Sequence, residues 1–176
     1  MRCFIGFILP EDCKERIFSL QQKMKNLPMK AKFVEKENLH ICFSFLGEID
    51  ENRIQEVKKK IDEISSKYKK VDVVSKGILF IPNKNYFRVL ALDIKAGKEK
   101  LTSISNEIVQ KIGGDSKPPH ITLCRVKSVW NKEELLKFAS SSSFEIKFTV
   151  DSIQLIKSVL SREGPKYTII HSSKLL

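Results

Sequence analysis

The chain reads as an α+β fold. Two lobes related by a pseudo-twofold axis are expected, each an antiparallel-rich sheet with helices on its outer face, and together they line a central cleft. Three observations lead there. A short pattern occurs twice, as His40-Ile41-Cys42-Phe43 and His120-Ile121-Thr122-Leu123, 80 positions apart in a chain with only three histidines. The order strand, helix, His strand, helix, strand repeats around the two copies, over approximately residues 1–81 and 86–171 of a single two-lobed domain. Stretches of alternating apolar residues are separated throughout by stretches whose apolar residues recur every three or four, so strands and helices are interleaved.

The first strand runs from Arg2 to Ile8. A helix follows, with Pro10 near its first position, Glu11 and Asp12 complementing the macrodipole, and a stripe of Cys13, Ile17, Leu20, Met24 and Leu27, closed by Pro28. After a basic connector containing Phe33 comes the His40 strand, ended by Gly47. Asp50 caps a helix with Ile54, Val57, Ile61 and Ile64 on one side. A long strand, Val71 to Ile81, turns through Pro82-Asn83-Lys84-Asn85 and pairs in antiparallel fashion with Tyr86 to Ile94.

Here the order repeats. Arg88-Val89-Leu90-Ala91-Leu92 matches the opening Arg2-Cys3-Phe4-Ile5-Gly6, and a helix carrying Leu101, Ile104, Ile108 and Ile112 stops at Gly113-Gly114. The His120 strand follows, then a short helix through Leu135, Leu136 and Phe138 with Asn131 and Glu134 as a capping box. Phe144 to Thr149, Ile153 to Leu160 and Lys166 to His171 are closing strands. The serine run Ser140 to Ser143 is a loop.

Side chains two apart on a strand share a face. His40 therefore points with Cys42 and His120 with Thr122, while Ile41, Phe43, Ile121 and Leu123 point into a core. Phe45 is assigned to the core on the same alternation, and Tyr167 to a structural role. Each half thus presents an imidazole beside a small hydrogen-bonding group, suited to acid/base work if the halves face one another. Strict alternation puts Arg125 on the Leu123 side, so it reaches the cleft only if the strand ends or bulges after Cys124.

Composition limits the partners. A net charge of +11 over 176 residues favours a polyanion, although runs such as Lys58-Lys59-Lys60 also fit a solvated helix face. No apolar run approaches the roughly 18 residues of a membrane span. Met1-Arg2 leads straight into a short strand with no cleavage site, so a cytoplasmic protein that meets no membrane is expected. Cys3, Cys13, Cys42 and Cys124 lack CxxC spacing and are expected as free thiols.

The two His motifs, the Phe45-Leu46-Gly47-Glu48 after the first, the Pro-His-Ile-Thr-Leu-X-Arg form of the second and Gly164-Pro165-Lys166-Tyr167 resemble the two-histidine phosphoesterases. Within them the chain looks most like the RNA 2′,3′-cyclic phosphodiesterases, also called 2′-5′ RNA ligases, and the resemblance covers essentially the whole chain. It implies hydrolysis of a terminal 2′,3′-cyclic phosphate to a 2′-phosphate, a reversible 2′-5′ joining activity, RNA ends or nucleotides as partners, a monomer, and neither metal nor other cofactor. Carried over, His40 and His120 are the catalytic pair, with His120 as base and His40 as acid. Thr122 holds phosphate oxygens, Cys42 occupies the matching place, and Arg125 is a candidate phosphate or ribose contact. Cys42 departs from the Thr or Ser that the family has there, and a thiol is a weaker donor than a hydroxyl.

Two other readings use the same residues. His40, Cys42, His120 and Cys124 on one cleft would be a ligand set that zinc accepts, although HxC and HxxxC are not usual zinc spacings. A non-catalytic RNA or nucleotide binder of the same fold would account for Cys42.

Overall fold

The computed structural model describes residues 1–176. The first part of the chain forms β1 (Arg2–Ile8), α1 (Glu11–Met24), β2 (Met29–Phe33), β3 (His40–Glu48), α2 (Glu51–Ser65) and β4 (Val71–Pro82). The second forms β5 (Phe87–Ala96), α3 (Lys98–Lys111), β6 (His120–Val129), α4 (Lys132–Ser141), β7 (Glu145–Val150), β8 (Ser152–Ser161) and β9 (Gly164–Lys174). They build the α+β architecture read from the sequence, with a four-stranded sheet β3-β1-β8-β9 and a five-stranded sheet β2-β6-β5-β4-β7. Every strand pair is antiparallel.

Local chemistry explains the elements. The Asp50 carboxylate accepts the Arg53 amide at 2.8 Å and starts α2, and the Asn131 side chain accepts the Glu134 amide at 3.3 Å and starts α4. In α1 the residues Cys13, Ile17, Leu20 and Met24 are buried, as are Leu101, Ile104 and Ile108 in α3. These stripes join the inner faces of both sheets in one continuous core.

The sheets do not keep to the two chain halves. The turn after β4 is tight, with Asn83 Oδ1 accepting the Asn85 and Tyr86 amides at 2.9 and 3.0 Å. Such a hairpin makes β4 the neighbour of β5. β8 and β9 return to complete the sheet begun by β1 and β3. The helices cross as well, for α3 packs against β3 and α1 against β7.

Three sequence readings need correcting. The serine run is a loop only from Ser142, since Ser140 and Ser141 form the last residues of α4. The stretch read as a basic connector contains β2, an edge strand on β6 in which Ala31 faces Val126 and Lys32 faces Arg125. The proposed match of Arg88 with Arg2 is also one residue out. Gly6 lies opposite Cys42 and Ala91 opposite Thr122, so Gly6 and Ala91 are the equivalent positions. The His strand sets the register, and its partner on β1 has to be glycine: a Cβ on Gly6 would lie 2.4 Å from the Ile41 carbonyl oxygen.

Candidate active site

β3 and β6 bring their marked faces to one cleft. Ile41, Phe43, Ile121 and Leu123 are buried in the core, which leaves His40, Cys42, His120 and Thr122 lining a cavity of about 450 Å³. Each imidazole is held in the same way. His40 Nδ1 lies 2.7 Å from the Asn38 carbonyl and His120 Nδ1 lies 2.8 Å from the Pro118 carbonyl, each two residues back. A carbonyl only accepts, so both Nδ1 atoms carry hydrogen, and each Nε2 is left without a protein partner.

Both His strands also carry a bulge at the same place. On β3, Gly6 faces Cys42 and Ile5 faces Ser44, so Phe43 is the extra residue; on β6, Ala91 faces Thr122 and Leu90 faces Cys124, so Leu123 is the extra residue. The bulge resets the alternation. Ser44 and Cys124 fall into the core at 0% exposure, while Phe45 and Arg125 emerge on the cleft. Arg125 thus reaches the site through a bulge one residue earlier than the sequence reading required. Phe45 leaves the core assigned to it by strict alternation, is 39% exposed, and receives the Arg2 guanidinium 5.1 Å from its ring centre.

Helices from opposite parts of the chain fix the two bulges. Gln21 on α1, 1% exposed, donates through Nε2 to the carbonyls of Leu123 and Val34, both at 3.0 Å. Ser105 on α3 donates its hydroxyl to the carbonyl of Phe43. Carbonyls displaced from the ladder by a bulge need such donors in a dry interior.

His40 is packed among aromatic rings. Phe4 lies 4.8 Å and Tyr167 5.4 Å from it between ring centres, and Phe4 and Tyr167 meet edge-on at 5.0 Å. Burial pulls the His40 pKa below the usual imidazole value and the neighbouring charge of His120 adds to this, while the Asn38 carbonyl opposes it. Asn38 has a second role, donating through Nδ2 to the Pro165 carbonyl at 2.7 Å and to Glu35 at 3.3 Å. The start of β9 is thereby tied to the residue that orients His40. Gly164 lies against Glu35, where a Cβ would come within 2.9 Å of the carboxyl carbon, and its φ of +116° is one that glycine tolerates.

The zinc reading fails on Cys124. That thiol is fully buried on the core side of the bulge, and burial pushes its pKa up to about 12. The Cys42 thiol does line the cleft, but burial pushes it up to about 11, with the Asp115 charge in the same direction and the Ser44 amide opposing. It stays a neutral thiol near neutral pH, a weak S–H donor.

Comparison with known proteins accords with this geometry. Residues 8–91 match the model of the LigT-like phosphoesterases. An RNA 2′,3′-cyclic phosphodiesterase of Methanocaldococcus jannaschii is 37% identical over 97% of this chain and 98% of its own. The chain belongs to the LigT-like phosphoesterase family. A second relative in this family, an RNA 2′,3′-cyclic phosphodiesterase of Aquifex aeolicus, is 33% identical over 97% of this chain and 95% of its own. The crystal structure of E. coli LigT complexed with ATP superposes with a TM-score of 0.77 at 21% identity, covering 99% of this chain and 97% of that one. This LigT-like phosphoesterase cleft sets three cationic side chains, Arg2, Lys32 and Arg125, against one carboxylate, Glu35. Residues missed from sequence are Arg2, Phe4, Asn38 and Tyr167, together with Phe45. Tyr167 and Phe45 carried a signal, since they stand in the Gly-Pro-Lys-Tyr and Phe-Leu-Gly-Glu segments already noted.

Proposed function

We propose that this chain is an RNA 2′,3′-cyclic phosphodiesterase that opens a terminal cyclic phosphate by general acid/base catalysis with His40 and His120. One observation carries the reading: two imidazoles on matched strands share a cleft, each with Nδ1 on a carbonyl and Nε2 unpartnered. The names of the relatives from Methanocaldococcus jannaschii and Aquifex aeolicus support the substrate.

In the step, His120 Nε2 takes a proton from water as its oxygen bonds to phosphorus. The P–O3′ bond breaks, and His40 Nε2 protonates the departing O3′. A 2′-phosphate and a 3′-hydroxyl result. The Thr122 hydroxyl, and more weakly the Cys42 thiol, donate to the non-bridging oxygens as charge builds, and Arg125 adds a charge-assisted contact. Burial lowers the His40 pKa, which makes its imidazolium a stronger acid toward the alkoxide and at the same time a scarcer one near neutral pH. With an RNA 5′-hydroxyl in place of water the same bond breaks and a 2′-5′ linkage forms, which gives the reversible ligase activity.

The test is incubation of the protein with a short RNA ending in a 2′,3′-cyclic phosphate in ¹⁸O water. The reading expects a 2′-phosphate carrying one ¹⁸O. Binding without product would favour a non-catalytic RNA binder, and a 3′-phosphate would reverse the assigned leaving group.

A further inference from the structure

The cyclic phosphate is the 3′ end of an RNA, so every other nucleotide has to leave the cleft on one side. The mouth at the β8–β9 turn is lined by Glu35, Glu37 and Glu163 against Arg162 and Lys166, which disfavours a phosphate backbone. The other way out runs along β6. From Arg125 to Val129, and on β2 beside it, the strands carry Lys30, Lys32, Arg125 and Lys127 with no acidic residue. Val89 and Ile81, paired in turn beyond Arg125, give this surface a half-buried apolar floor.

The strip ends on aromatic rings. Trp130, just beyond β6, is 69% exposed, and Tyr86, in the β4–β5 turn, is 58% exposed. Lys132 Nζ donates to the Asn85 carbonyl at 3.1 Å and so draws the two segments together. Arg88 lies over the Tyr86 ring, 5.6 Å from its centre, and donates from Nε to the Tyr86 hydroxyl at 2.7 Å. Nothing in the core requires these rings, and large exposed aromatics beside cations are the usual components of a single-strand stacking surface. Trp130 stands five residues past Arg125, roughly 16 Å along an extended strand.

We infer that Tyr86, Arg88 and Trp130 form a stacking platform for the nucleotides upstream of the cyclic phosphate, so that the site takes a single-stranded RNA end in preference to a mononucleotide. This rests on the phosphodiesterase reading for the cleft but is measured separately from it. Trp130 is the chain's only tryptophan, so its fluorescence reports on the platform directly. The probes are a hexanucleotide RNA ending in a 2′,3′-cyclic phosphate and a nucleoside 2′,3′-cyclic monophosphate. The hexanucleotide is expected to quench Trp130 with steep salt dependence, and the monophosphate to leave it unchanged. Tyr86→Ala weakens hexanucleotide binding by about tenfold, the loss of one stacked base. It lowers kcat/KM for the hexanucleotide alike and leaves that for the monophosphate unchanged. Absence of quenching, or equal effects of Tyr86→Ala on both substrates, overturns the platform whether or not the protein turns substrate over. Quenching without turnover keeps the platform and rejects the phosphodiesterase.

Discussion

Cys42 is the one motif position where a neutral thiol stands in place of a hydroxyl, and Cys42→Thr isolates what that costs. The thiol is held protonated by burial, with its pKa at about 11, so near neutral pH it can offer a phosphate oxygen only a weak S–H bond. Across the ladder stands Gly6, which has no side chain, so the γ-methyl of Thr meets no Cβ from β1. β-branching also suits the strand. A hydroxyl hydrogen bond to a charged oxygen is worth about 1.5–3 kcal/mol, and if the thiol supplies a third to a half of that, the replacement gains about 1–2 kcal/mol in the transition state. That converts to an increase of roughly 5–30-fold in kcat/KM. The assay is steady-state hydrolysis of a nucleoside 2′,3′-cyclic monophosphate by wild type and variant, with thermal unfolding of both. A tenfold loss of kcat/KM with unchanged Tm would refute the reasoning and give the thiol a role of its own.

Three further outcomes follow from the same geometry. Gln21→Ala removes the donor shared by the Leu123 and Val34 carbonyls; the Leu123 oxygen keeps the Val34 amide at 3.0 Å, so the Val34 carbonyl is the group left unpaired, at about 1–3 kcal/mol. Thermal unfolding should show Tm lower by several degrees, at about 2–4 °C per kcal/mol for a chain of this size, and kinetics a lower kcat as the Thr122 and Arg125 strand loosens. Gly6→Ala sets a Cβ 2.4 Å from the Ile41 oxygen, a backbone atom that cannot swing away. The resulting overpacking costs about 1–3 kcal/mol, read by denaturant unfolding, and displaces His40 and Cys42, so turnover should fall by more than the folded fraction does. The pH profile of kcat/KM should be bell-shaped, because one imidazole has to be neutral and the other protonated. Its limbs belong to the coupled pair, and burial of His40 draws the ascending limb below the ordinary imidazole value of about 6.5; an ascending midpoint above that value, or no descending limb, would contradict the pairing.

Much of this was legible in the chain, and the exceptions share a cause. Alternation correctly faced Ile41 and Ile121 inward and His40, Cys42, His120 and Thr122 toward one cleft, since a strand has a fixed period. It then failed at Phe45 and Arg125, because a bulge inserts a residue and reverses the phase beyond it. The warning was present in the duplication, where Ser44 and Cys124, small residues at matched positions, both sit in the core. β2 was also visible as Met29-Lys30-Ala31-Lys32-Phe33, an unbroken period of two, but its lysines made it look like a connector. The exchange of β8, β9 and β4 between sheets depends on which strand edges remain open after the hairpins form, which no local pattern encodes. Tyr167 is brought to His40 by that exchange, through pairings of β1 with β8 and β8 with β9, whereas Phe4 reaches it across the β1–β3 pair and Asn38 along the chain itself.

The claim that two imidazoles divide one proton transfer each is tested most directly with His40→Ala and His120→Ala on two substrates. One is a nucleoside 2′,3′-cyclic monophosphate, and the other a 2′-(p-nitrophenyl) phosphodiester of a 3′-deoxynucleoside, whose phenolate leaves without a proton. Both variants should lose about 10²–10⁴-fold on the cyclic substrate. On the p-nitrophenyl ester His120→Ala should keep its full loss while His40→Ala recovers most of the wild-type rate. Wild-type turnover of the cyclic phosphate by either variant, or equal losses on the ester, would contradict it.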